Sequence, residues 1–90
     1  MTNKKYIIKR ARKLRSVVKG VSLPESVRIV KSYMQGKDTL ETFRNLGFKV
    51  EVNARWEKCE CCGSHYRGTV ALEKNGHRSI LQYDDNVILP

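Results

Sequence analysis

The sequence predicts an α+β domain: three short N-terminal helices, the first strongly basic, followed by a small antiparallel β-meander. Three observations predict it. Apolar residues recur at helical spacing as far as Gly47, the period switches to two at Lys49, and turn-forming pairs punctuate the rest of the chain. Ninety residues suit a single domain. Within it we distinguish a basic helix or arm (1–20), a helical hairpin (21–47) and the meander (48–90). A chain this short buries only about 60% of its unfolded surface, so its core has little margin. The 40% apolar content is nevertheless enough to build one.

Lys4 to Lys19 reads as the first helix. Ile7, Ala11, Leu14 and Val18 recur at steps of four, three and four, which places them on one face, and Gly20 supplies a stop. If this helix packs, its cations point outward; the alternative is an arm that folds on its target. Ser22-Leu23-Pro24-Glu25 then carries a capping box with proline in the first turn. Val27, Val30 and Tyr33 or Met34 supply the stripe of this second helix, and Gly36 ends it. Asp38-Thr39-Leu40-Glu41 is a second box. Leu40, Phe43 and Leu46 share a face of the third helix, and Gly47 stops it.

From Lys49 to Glu57 every even position is apolar and every odd one polar, the pattern of a half-buried strand. Tyr66 to Glu73 forms a second strand with Val70 and Leu72 facing one way. Asn75-Gly76 suits a type I′ hairpin turn. His77 to Tyr83 returns as a third strand, and Val87-Ile88-Leu89 follows the Asp84-Asp85-Asn86 turn as a short last one. Trp56 lies on the apolar face and is expected in the core, as are Tyr66 and Tyr83 unless they are exposed for stacking.

Charge is distributed more tellingly than composition. The formal net charge is +9, yet residues 1–20 hold eight of the eighteen Lys and Arg and none of the nine acids. The remaining seventy residues therefore net only +1. A nearly neutral body carrying a +8 segment points to a polyanionic partner, nucleic acid first. The plain alternative is a solvated basic face that aids solubility, but solubility does not require so many unpaired like charges. Phosphate contacts are expected from Lys5, Lys9, Arg10, Arg12, Lys13, Arg15 and Lys19, extended by Arg67, Lys74 and Arg78 on the meander, with Lys74-Asn75-Gly76 at a hairpin tip.

No stretch approaches the roughly 20 apolar residues of a membrane span, and the basic start lacks the apolar run of a secretory signal. The expectation is a cytoplasmic, reducing location, in which Cys59, Cys61 and Cys62 serve as thiols or metal ligands rather than as disulfides. Cys59-x-x-Cys62-Gly63 resembles a zinc knuckle, since two thiolates three apart can reach one ion while glycine lets the backbone turn beneath it. A structural zinc wants four ligands. Cys59, Cys62, His65 and His77 can complete the set, with Cys61 as a substitute, and a small core gains from such a staple. The plain alternative is a tight turn of three small, soft residues.

The stretch from Ile29 to Gly47, with Tyr33, Gly36, Leu40, Phe43, Leu46 and Gly47, resembles the first two helices of many helix-turn-helix DNA-binding domains. The resemblance covers nineteen residues. It implies that the following segment, GFKVEVNARWEK with Arg55-Trp56, is a recognition helix. The strict alternation there and its β-branched residues favour a strand instead. A winged arrangement would make the third helix the reader and Trp56 to Tyr83 the wing. That helix is close to neutral, with Asp38 and Glu41 against Lys37 and Arg44, a poor footprint for phosphates.

Catalysis is not expected. A cysteine near His65 can in principle be a nucleophile, but Glu57 and Glu60 deny it the electropositive setting of a reactive thiolate. Asp84 and Asp85 are adjacent, so on a strand they face opposite ways. No base–nucleophile constellation is ordered by a motif. The sequence thus reads as a small basic nucleic-acid-binding protein, for DNA or RNA, of a regulatory or accessory kind. The alternative is an interaction module or inhibitor whose basic helix docks on an acidic patch of a larger enzyme or nucleic-acid machine.

Overall fold

In a computed structural model of the chain, residues 4–61 and 63–90 are described, apart from the side chain of Cys59. Three helices, α1 (Lys4–Val17), α2 (Leu23–Met34) and α3 (Thr39–Asn45), precede four strands, β1 (Lys49–Cys59), β2 (Gly63–Lys74), β3 (His77–Asp84) and β4 (Val87–Ile88). The expected α+β arrangement is therefore the observed one. The expected zinc-knuckle turn rests on Cys62 and the Cys59 side chain, which lie outside the described residues.

The stripe along 4–18 makes α1 a docked helix. Ile7, Ala11, Leu14 and, just past its end, Val18 are buried in the common core. Ser22 caps α2 as its spacing predicts: its hydroxyl accepts the Glu25 amide hydrogen, and Glu25 reaches back to the Ser22 amide at 2.9 Å. The buried face of α2 is centred on Ile29 and Val30, with Val27 and Tyr33 packed at its edges; of the two alternatives Tyr33 meets the core, and Met34 is 41% exposed. Two serines sit inside that face at no polar cost. Ser26 donates to the Ser22 carbonyl at 2.9 Å, and Ser32 shares a 2.7 Å hydrogen bond with Thr42 of α3. Asp38 caps α3 by accepting the amides of Leu40 and Glu41, while the Glu41 carboxylate turns to Arg44 rather than back to the cap. Gly47, at φ 93°, then redirects the chain so that Phe48 meets Phe43 edge to face at 5.3 Å.

The strands pair antiparallel in the order β1-β2-β3-β4, a meander. Lys49–Cys59 is thus strand and not a recognition helix; period-two alternation prevails over the helical spacing of Val52 and Trp56. Asn75 (φ 52°) and Gly76 (φ 80°) both take the left-handed turn that the Asn-Gly pair predicts. Register explains the core. Val52, Val70 and Leu81 lie side by side, as do Val50, Leu72 and Ser79, and the helices cover this face. The opposite face is open to solvent, with Ile80 56% exposed.

The sheet outruns its helical cover. β1 pairs with β2 from Lys49↔Glu73 to Cys59↔Gly63, but β3 ends at Asp84, opposite Arg67. β1 and β2 therefore continue past the end of β3 as a two-stranded arm, with Trp56 and Tyr66 paired at its base. Its root is marked by Gly68, where a Cβ would lie 2.1 Å from the Asn53 carbonyl oxygen and 2.7 Å from the Ala54 Cα. Only glycine permits that approach of β1 to β2.

Candidate functional site

Helical geometry sorts the α1 cations by role. At about 100° per residue, Lys5, Lys9, Arg12, Lys13 and Ser16 share the side opposite the buried stripe, and all are exposed. Lys9, Arg12 and Lys13 form no ion pair among the described residues. Two predicted phosphate ligands are already engaged. Arg10 hydrogen-bonds the Tyr6 hydroxyl at 3.0 Å and the Leu89 carbonyl at 3.5 Å, and lies 5.8 Å over the Tyr33 ring. The Arg15 Nε donates to the Val21 carbonyl at 3.3 Å. Lys19 is exposed at the helix end, its backbone amide held by the Ser79 hydroxyl at 3.1 Å.

The meander cations are not continuous with this row. The Lys74 side chain is only 19% exposed; its ammonium donates to the Leu46 carbonyl at 2.7 Å, pairs with Glu25 at 3.5 Å and sits 5.2 Å over the Phe48 ring. It therefore ties the hairpin end to both helical turns instead of presenting a tip to a groove. The Glu25 carboxyl it meets is held below its ordinary value, chiefly by the Ser22 amide and hydroxyl, with Lys74 adding to the effect. Arg67 and Arg78 point from the open face of the sheet, away from α1. Arg67 is bridged to Asp84 at 3.3 Å and Glu57 at 3.8 Å, and Arg78 stands opposite Glu73. Of the ten predicted contacts, the coherent set is on α1.

Trp56 corrects an expectation. It lies on the apolar face, as alternation requires, yet is 70% exposed because that face continues past the helices. Tyr66 stands directly opposite, ring centroids 5.4 Å apart and tilted 40°, and Tyr83 meets Tyr66 edge to face at 6.0 Å. The three rings form a ladder from the core edge to the arm. Exposure was not readable from periodicity, which reports the face and not what covers it.

The two predicted histidine ligands are not brought together, and Cys62 and the Cys59 side chain lie outside the described residues. His65 pairs with Glu57 on the arm, whereas His77 pairs with Lys74 at the far end of β2, nine residues or about 30 Å away at the ordinary strand rise. One ion cannot take both. Cys61 is exposed in the turn. His65 instead meets Asp84 and Asp85, their potential ligand atoms within 4.8 Å of one another. Adjacent aspartates share a side because Asp85 adopts φ 57°, which breaks the alternation expected of a strand. His65 Nδ1 lies 3.2 Å from Asp85 and 3.4 Å from Asp84. The other Asp85 oxygen accepts the Tyr66 amide at 2.9 Å, and Arg67 holds Asp84. These contacts make the cluster a clasp that closes the end of β3 on β2; only the Asp84 Oδ1, buried beside the imidazole, lacks a hydrogen bond.

None of the described helices is long and apolar enough to cross a membrane. Comparison with protein families, curated proteins and solved structures gives no match.

Proposed function

We propose that this protein binds nucleic acid through the outward face of α1, with Lys5, Lys9, Arg12 and Lys13 contacting the phosphate backbone and Lys19 extending the row. The observation that carries the reading is the state of those cations. Lys5–Lys9 and Lys9–Lys13 are like-charge pairs one turn apart, each destabilising by about 0.2–0.5 kcal/mol in an isolated helix. Lys4 and Lys5 also occupy the first turn, where the helix dipole disfavours cations, and that turn holds no acidic residue of its own. Burial of Ile7, Ala11, Leu14 and Val18 holds the helix despite this repulsion. A rigid, repelling row of cations is relieved by a polyanion, whose condensed counterions are released on binding. Such contacts position the protein without reading sequence. Binding, and not catalysis, is the proposed role.

Fluorescence anisotropy with end-labelled duplex DNA, single-stranded DNA and structured RNA across a salt series tests this. Affinity is expected to fall steeply with salt. Changing Lys9, Arg12 and Lys13 together to Ala should flatten the log–log slope by about 0.9 per lost contact on duplex and about 0.7 on single strands. Absence of binding to every ligand at low salt would sink the proposal. It would redirect attention to an acidic protein surface, which the same cations would steer equally well.

A further inference from the structure

We propose that the projecting hairpin stacks unpaired nucleobases on Trp56 and Tyr66, so that the preferred ligand is single-stranded or locally unpaired nucleic acid. The inference rests on the nucleic-acid reading of α1 and specifies its ligand.

The arm supplies an open aromatic surface. Trp56 is 70% exposed, with Tyr66 tilted beside it at 5.4 Å. A free-standing hairpin needs cross-strand side-chain pairs, and that need accounts for the pairing itself. It does not require an indole, since a threonine or valine pair serves a strand equally well without leaving an aromatic in water. Tyr83 anchors the ladder to the core, which fixes the platform relative to the body. A cation accompanies it. Lys58 follows Trp56 two residues on along the same face and is exposed. Stacking surface and a cation available to phosphate thus share one face of the arm. A duplex hides its base faces, whereas a single strand offers them to any aromatic plane regardless of sequence.

Trp56 is the only tryptophan, so its emission reports the arm alone. We expect titration with an end-labelled oligothymidylate to quench it in step with the anisotropy rise, and a blunt duplex to leave it unchanged. Trp56→Ala should weaken single-strand binding by about 5- to 150-fold, the range corresponding to one lost base stack. Duplex binding should be unaffected, and Trp56→Phe, which keeps a ring, should lose less. If the oligothymidylate binds while emission stays constant and Trp56→Ala binds as tightly, stacking is overturned and the role of α1 stands. If no oligonucleotide binds at low salt, both readings fall. If emission instead shifts with protein concentration alone, the arm is covered by a second copy of the chain and the stacking proposal is overturned.

Discussion

On α1, Lys9, Arg12 and Lys13 stand exposed with no carboxylate paired to them among the described residues, whereas on the sheet Lys74 and Arg67 are each held by protein acceptors. The residue types are the same and their uses differ. The acids decide it. All nine lie outside α1, and several are spent where the sheet cations sit: Glu25 on Lys74, Glu57 and Asp84 on Arg67. A basic residue with an acceptor in reach is a structural tie. One without is available to a ligand. Net charge alone would have counted both alike.

Removing charge from each region should separate the two uses. The largest stability effect is expected at Lys74. Its ammonium makes a hydrogen bond to Leu46 from a mostly buried position, so Lys74→Met should lower unfolding stability by about 1.5–3 kcal/mol in urea titration. A neutral result would show that the tie is incidental and would return Lys74 to the pool of candidate ligands.

Acid tests the same tie from the other side. The folded Glu25 carboxyl titrates below its unfolded value, so its contribution is complete above the ordinary range near about 4.3 and is lost as pH falls through the depressed folded value. We expect urea midpoints to decline there and Glu25→Gln to flatten that decline. In Lys74→Met most of the acid sensitivity should persist, because Ser22 supplies the larger part of the depression.

The smallest effects complete the contrast. Arg67→Ala removes the two ion pairs of an exposed guanidinium, to Asp84 and Glu57, each expected to be worth no more than about 1 kcal/mol. Replacing Lys9, Arg12 and Lys13 with Ala should leave the melting temperature unchanged or slightly raised, since it relieves like-charge repulsion on a helix held by its opposite face. A marked destabilisation by these three changes would mean that the row is structural after all.

How far the chain could be read follows from the range of each signal. Caps, glycine stops and the Asn-Gly turn are written within four residues, so Ser22, Asp38, Gly47 and Asn75-Gly76 do in the fold what their spacing predicts. Alternation likewise assigns the face of β1 and β2 without knowledge of what packs there. Signals that need a distant partner were read less well. His65 and His77 looked like companions because both follow the cysteine cluster, but the hairpin register carries them to opposite ends of β2. Lys74 looked like a free hairpin tip because its acceptors, Leu46 and Glu25, are far from it in the chain.

By itself, then, the sequence determined the order of helices and strands, the apolar face of β1 and β2, and the confinement of excess positive charge to the N-terminal segment, because all three are set by local spacing and composition. Tertiary structure alone decided which cations remain available, that Asp84 and Asp85 converge on His65, and that the sheet extends past its helices to leave Trp56 in solvent. Those outcomes depend on strand register and on the lengths of layers packed against each other, which are properties of paired elements and not of any one of them.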